Sequence, residues 1–155
     1  SVNSEAADDW FEMNGREGLT PFMLVTADVK KNSKLSVGEQ YSHLSGIEKH
    51  KIPRSTIPAV THVDGSARVQ TVHKGTNPRY WALIDHFKQM TGCPVLINTS
   101  FNVRGEPIVC SPEDAYQCFM RTQMDYLVLE NILLVKTEQP KKNADDKWKL
   151  EFKPD

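Results

Sequence analysis

The stretch Pro94-Val95-Leu96-Ile97-Asn98-Thr99-Ser100-Phe101-Asn102-Val103-Arg104-Gly105-Glu106-Pro107 decides how the chain is read. It opens on an apolar run headed by a proline, the pattern of a short buried strand. The run gives way abruptly to Asn98, Thr99, Ser100, Asn102 and Arg104, and Gly105 and Pro107 bar any regular continuation. A buried strand thus delivers hydroxyls, two amides and a guanidinium to one loop. Fixed donors of that kind suit a phosphate or a carboxylate. The same residues also suit a polar turn that satisfies its own backbone, and residue chemistry alone leaves both readings open.

The flanks of this stretch are helical. Asn77-Pro78 places an N-cap before a proline at the first helical position, and Gly92 closes the helix after Thr91. Within it Tyr80, Leu83, Ile84, Phe87 and Met90 recur at helical spacing, which predicts a core stripe. Ser111-Pro112-Glu113-Asp114 opens a second helix to about Arg121, its acids matching the helix dipole. Beyond it, Tyr126–Leu129 and Ile132–Val135 flank Glu130-Asn131, the pattern of a hairpin of two buried strands.

Toward the N-terminus, Ser4 caps a short helix through Asn14, ended by Gly15 and Gly18. Pro21–Val29 reads as a mostly buried strand. Asp64-Gly65 marks a turn, and Ala67 to Val72 alternates as a strand with Arg68 and Gln70 on one face. Arg68 either forks onto an oxyanion or faces solvent on an edge strand. His62 and Asp64 lack a third ligand nearby, which favours a hydrogen-bonded structural histidine over a metal site or an acid–base pair. Lys30 to Pro58 is polar and rich in Lys and Ser, with weak helical content around Val37 to Lys49. It reads as a surface excursion, a lid or a partly disordered segment. Glu138 to Asp146 is a polar linker, and Lys147 to Lys153 alternates weakly, as an edge strand or a tail.

At 155 residues, 39% hydrophobic and 25% charged, the chain has the size and composition of one soluble globular domain with a real core. A net charge of −1 implies no bulk attraction to nucleic acid or to a membrane surface. No apolar run is long enough to span a bilayer, and the first ten residues are polar and acidic, without signal-peptide character. Cys93, Cys110 and Cys118 show no metal-type spacing and read as reduced core thiols of a cytoplasmic protein. The fold class expected is mixed α/β (α+β), with helices packed on a sheet.

Two segments together carry a family resemblance: Thr61-His62-Val63-Asp64-Gly65-Ser66-Ala67-Arg68-Val69-Gln70-Thr71-Val72, and Asn98-Thr99-Ser100-Phe101-Asn102-Val103-Arg104-Gly105-Glu106-Pro107-Ile108-Val109. They resemble the C-terminal domain of the O-carbamoyltransferases, the family of nodulation-factor and antibiotic carbamoyltransferases. Asn77-Pro78-Arg79-Tyr80 and Ser111-Pro112-Glu113-Asp114-Ala115 match as well. The resemblance covers roughly Ser4 to Lys136. It implies one YrdC-like domain at 1–137, a twisted mixed sheet with helices on it, carrying a variable insertion at 30–58. A linker and tail follow at 138–155.

The resemblance also implies a chemistry. Carbamoyl phosphate is cleaved to carbamate, and carbamate joins ATP, carried with Mg, to give carbamoyl adenylate and pyrophosphate. A separate N-terminal TsaD-like domain then moves the carbamoyl group to a substrate hydroxyl, and that domain holds the family's metal. On this chain the resemblance assigns no metal ligand. It implies that Arg68 clamps the phosphate or carboxylate of carbamoyl phosphate. Ser100 and Asn102 bind carbamate and the nucleotide phosphates, Arg104 assists with the same anions, and Asn98 and Thr99 shape the loop. Bringing two anions together demands positive and dipolar groups to offset their repulsion. The family's Lys-x-Arg-Glu-x-Phe-Arg motif, which precedes this region, is absent from the sequence. The chain on its own is therefore expected to be inactive. The alternative is a non-catalytic YrdC-like module binding RNA or nucleotide, for which only Lys30, Lys31, Lys34, Lys49, Lys51 and Arg54 cluster. Otherwise no nucleic-acid or membrane partner is expected.

Overall fold

The computed structural model describes residues 1–15, 20–36, 38, 43, 45, 48, 52–103 and 105–140. Its elements are mixed α and β, as expected, and the chain divides into two compact units, Ser1–Asn98 and Thr99–Asp155. Among the described residues the strands form three two-stranded sheets, so the expected twisted sheet is present in pieces.

The first unit holds β1 (Val2–Asn3), α1 (Ala7–Trp10), β2 (Val25–Asp28), β3 (Ser66–Val69), β4 (Thr71–Val72) and α2 (Pro78–Thr91). β2 and β3 are antiparallel, with Thr26 opposite Arg68 and Ala27 opposite Ala67. Along β3, Ala67 and Val69 are buried while Arg68 between them is exposed, as a period of two requires. The strand expected over Ala67–Val72 breaks at Gln70. Thr20 occupies the break: its N–H donates to Thr71 Oγ1 (2.9 Å) and its hydroxyl to the Val69 carbonyl (2.6 Å). Thr71 N–H donates back to the Thr20 carbonyl at 3.0 Å. One residue from outside thus takes the polar groups that a continuous ladder would use.

β1 pairs in parallel with β4 and bridges Val95 antiparallel. The strand expected at Pro94–Ile97 is that single bridge, joined by Leu96 N–H donating to the Ser1 carbonyl at 2.9 Å. The N-terminal helix is also shorter than expected. A 3-10 turn, Ser4–Ala6, leads into the four-residue α1, and Phe11 then turns extended to bridge Val29. Burial explains the early stop: Phe11 and Val29 join Val2, Ala7 and Val69 in one core. The strand expected from Pro21 begins only at Val25, and Phe22 and Leu24 are exposed rather than buried.

α2 begins and ends where the sequence says. Asn77 Oδ1 accepts the Tyr80 N–H, Pro78 follows the cap, and Gly92 takes φ 77° at the C-terminus. Its expected core stripe is narrower: Ile84 is fully buried, Tyr80 and Phe87 are half-buried, and Leu83 and Met90 are exposed. Lys30–Pro58 is anchored at its ends. Lys34 bridges Ser55, Leu35 N–H donates to the Arg54 carbonyl (2.8 Å), and Ser33 and Ser55 are buried. The helical content expected at Val37–Lys49, and the strand or tail expected at Lys147–Lys153, lie outside the described residues in whole or in large part.

The second unit holds α3 (Pro112–Arg121) and the hairpin of β5 (Tyr126–Leu129) and β6 (Ile132–Val135). Ser111 and Asp114 form a reciprocal capping box at the start of α3. α3 presses Ala115 and Phe119 onto Leu127, with Leu129 and Leu134 alongside. At its other end the Lys136 ammonium donates to the Phe119 and Thr122 carbonyls and lies over the Phe119 ring, supplying a cation where the helix dipole is negative. The opposite face of the hairpin, Tyr126, Val128 and Leu133, is exposed rather than buried. No described helix is long and apolar enough to cross a membrane.

Candidate functional site

In the first unit the candidate residues are Arg68 and Asn98, and Asn98 is tied to Gln70. Gln70 Oε1 accepts from Asn98 Nδ2 (2.7 Å) and from the Ser1 hydroxyl (2.6 Å), while Gln70 Nε2 donates to the Pro21 carbonyl (3.0 Å). Gln70 follows Arg68 by two residues, on the face the sequence assigned to both. The bridge of Val95 to β1, and of β1 to β4, carries the chain from Pro94 to Asn98 alongside Gln70. Arg68 itself is exposed and has no ion-pair partner among the described residues, so its guanidinium is free to take an anion in a forked geometry.

His62 and Asp64 belong to the neighbouring turn. Asp64 Oδ1 accepts from Ser66 N–H (2.9 Å) and from the Ser66 hydroxyl (2.7 Å), and His62 Nδ1 lies 2.9 Å from the same hydroxyl. Hydrogen bonds from the Ser66 hydroxyl and N–H hold the Asp64 carboxyl below the usual carboxylate range. Both side chains are spent on shaping the turn before β3, which fits the structural reading of His62. Among the described residues no group of three His, Cys, Asp or Glu is placed to hold a metal.

The second unit carries Thr99, Ser100 and Asn102. Thr99 and Ser100 are exposed, and their hydroxyls take no hydrogen-bond partner among the described residues. Phe101 packs on the α3 core and its carbonyl accepts Val109 N–H at 3.0 Å, which fixes the base of the loop. Asn102 turns inward: Nδ2 donates to the Val103 carbonyl (3.1 Å) and to the Glu106 carbonyl (3.0 Å). Two carbonyl neighbours require the NH₂ group at that position, so Oδ1 alone remains available. Glu106 N–H donates to the Val103 carbonyl (2.9 Å) and closes a turn across Gly105, whose φ of 83° suits glycine. Arg104 lies outside the described residues.

Sequence reasoning missed two groups. Gln70, which the alternation marks only as a neighbour of Arg68, holds Asn98. Glu106 and Arg121 received no role, although their side chains form a 3.0 Å ion pair beneath the loop. A pairing between a turn and the last residue of a helix leaves no short-range trace. Of the expected basic cluster, Lys30 meets Glu12 at 2.9 Å and Lys34 meets Asp28 at 3.7 Å, while Lys49 and Lys51 lie outside the described residues. Of the cysteines, Cys118 is buried, Cys93 half-buried and Cys110 exposed, so one of the three expected core thiols lies at the surface.

Capped helices and small two-stranded sheets make the chain mixed α and β. The particular family follows from comparison: the chain belongs to the carbamoyltransferase C-terminus family, whose model matches residues 1–136. A protein of Synechocystis, sll1178, is 57% identical over all 155 residues, which make up 25% of its length. Nodulation protein NolO of Bradyrhizobium diazoefficiens is 39% identical over 136 residues, 88% of this chain and 21% of that protein. The 3'-hydroxymethylcephem-O-carbamoyltransferase of Amycolatopsis lactamdurans is 51% identical over 55 residues, 36% of this chain and 11% of that enzyme. The matched residues make up a quarter or less of the length of each of these relatives.

Proposed function

We propose that this chain is the part of an O-carbamoyltransferase that binds carbamoyl phosphate and ATP and supports formation of carbamoyl adenylate. Water cleaves carbamoyl phosphate to carbamate and inorganic phosphate. A carbamate oxygen then attacks the α-phosphorus of ATP, the bond to pyrophosphate breaks, and carbamoyl adenylate forms. In the longer protein a TsaD-like N-terminal domain brings a substrate hydroxyl to the carbamoyl carbon, and AMP leaves. The Mg that accompanies ATP is assigned no ligand on this chain.

The observation that carries the reading is the exposed Arg68 guanidinium, which has no ion-pair partner among the described residues, in a member of this family. Arg68 takes a phosphate or carboxylate oxygen pair. Ser100 donates its free hydroxyl to carbamate or a nucleotide phosphate. Asn102, with its NH₂ committed to the loop, offers Oδ1 to the carbamate amino group and so selects nitrogen-bearing carbamate over bicarbonate. Arg104 contributes positive charge for the same anions, and Asn98 and Thr99 shape the approach. No covalent nucleophile is needed, because positioning and charge compensation supply the catalysis. The test is exchange of labelled pyrophosphate into ATP by the full-length protein. Exchange that depends on carbamoyl phosphate supports adenylate formation. Carbamoyl transfer without such exchange would contradict it.

A further inference from the structure

Beneath the Ser100–Glu106 loop lies a buried electrostatic brace. The Glu106 carboxylate is divided between two donors: Oε2 accepts Val103 N–H (3.1 Å) and Oε1 accepts Arg121 Nη1 (3.0 Å). The Glu106 side chain is 13% exposed and that of Arg121 22%. The Glu106 backbone takes part as well, its N–H donating to the Val103 carbonyl and its own carbonyl accepting from Asn102. The Glu106 backbone and carboxylate thus pair within the loop and with α3, where the Cys118 thiol also neighbours the carboxylate. Such an arrangement is costly to bury and gains its stability from being fully paired.

We infer that Glu106 and Arg121 are positioning residues that fix the shape of the ligand loop from beneath, anchoring it to α3. Neither touches a ligand. The carboxylate holds Val103 N–H, which sets the turn across Gly105, and the turn in turn fixes the carbonyls that orient the Asn102 amide. Arg121 holds the carboxylate in place, and α3 is itself fixed by the Ser111–Asp114 box at its start and by Lys136 at its end. The brace thus passes the rigidity of a capped helix to a loop with no regular structure of its own. The inference rests on the proposed binding of carbamoyl phosphate and ATP.

The test uses Glu106→Gln and Arg121→Lys in the full-length protein, reading Val103 amide exchange and binding of carbamoyl phosphate with ATP. Glu106→Gln conserves size and one acceptor but removes the charge that Arg121 meets. The brace predicts faster exchange of Val103, with binding weakened roughly tenfold at an unchanged fold. Adding Asn102→Ala to Glu106→Gln then costs less than Asn102→Ala costs alone, because the amide has already lost its frame. A purely structural role would lower the melting temperature and leave the affinity of the folded protein unchanged. Unchanged Val103 exchange in both variants overturns the brace. Faster exchange with unchanged binding overturns the positioning role. If Ser100→Ala and Arg68→Ala also leave binding intact, it is the binding reading itself that has failed.

Discussion

The face of β3 and the Ser100–Glu106 loop present polar groups in opposite ways. Arg68 is exposed, carries no ion pair among the described residues, and is held only by the antiparallel register that sets it opposite Thr26. Asn102, Val103 and Glu106 spend most of their hydrogen-bonding capacity on one another and on Arg121. One region offers charge on a scaffold that does not depend on it, and the other offers shape that its own polar groups create. Substitution therefore separates the two. On the proposed function, loss of the open charge should alter binding and not stability, whereas loss of a loop-forming group should alter both.

The largest effect belongs to Arg68→Ala. A forked, charge-assisted contact to an anion is worth about 2–3 kcal/mol, so binding of carbamoyl phosphate should fall by more than tenfold. The melting temperature should hardly move, because an exposed side chain with no ion-pair partner among the described residues is replaced. Asn102→Ala comes next. It removes two hydrogen bonds and leaves the Glu106 carbonyl without its side-chain donor, at a cost of about 1–2 kcal/mol in denaturant unfolding, together with weaker binding. If Asn102→Ala weakens binding and leaves stability unchanged, the contrast between the two regions is lost.

Smaller effects sharpen the comparison away from the ligand. Ser111→Ala removes the N-cap of α3 and should cost about 1 kcal/mol of stability. The capping box also carries a pH signature. Hydrogen bonds from Ser111 and from Cys110 N–H hold the Asp114 carboxyl below the usual range, so its folded pKa is depressed. The stabilisation is accordingly present above the unfolded carboxylate value of about 4 and fades as pH falls through the lower folded value. Replacing Asp114 with Asn should flatten that part of the acid unfolding curve. The cysteines provide a third check. Burial, followed by the neighbouring Glu106 carboxylate, pushes the Cys118 thiol up, whereas Cys110 is exposed. Maleimide at neutral pH should label Cys110 well before Cys118, and Glu106→Gln should hasten Cys118 labelling.

What could be read in the sequence follows from the range of the interactions concerned. Asn77-Pro78 with Gly92, Ser111-Pro112 with Asp114, and the hairpin around Glu130-Asn131 were legible because caps and tight turns are local chemistry. The alternation of Ala67, Arg68 and Val69 was legible for the same reason. The early stop of α1 was not, because Phe11 leaves helical geometry to reach Val29, a partner distant in sequence. The break at Gln70 was not, because Thr20 makes it from far upstream. The loop illustrates both cases. Its polar character and its turn were visible, but the commitment of the Asn102 amide and the pairing of Glu106 with Arg121 depend on tertiary placement.

On the proposed function, Arg68 supplies the charge that captures carbamoyl phosphate. Calorimetric titration of carbamoyl phosphate, and then ATP, into the full-length protein and its Arg68→Ala variant tests it most directly. The account predicts saturable binding by the parent, and a loss of more than tenfold in the variant with its melting temperature preserved. Equal affinity in the two proteins would contradict it.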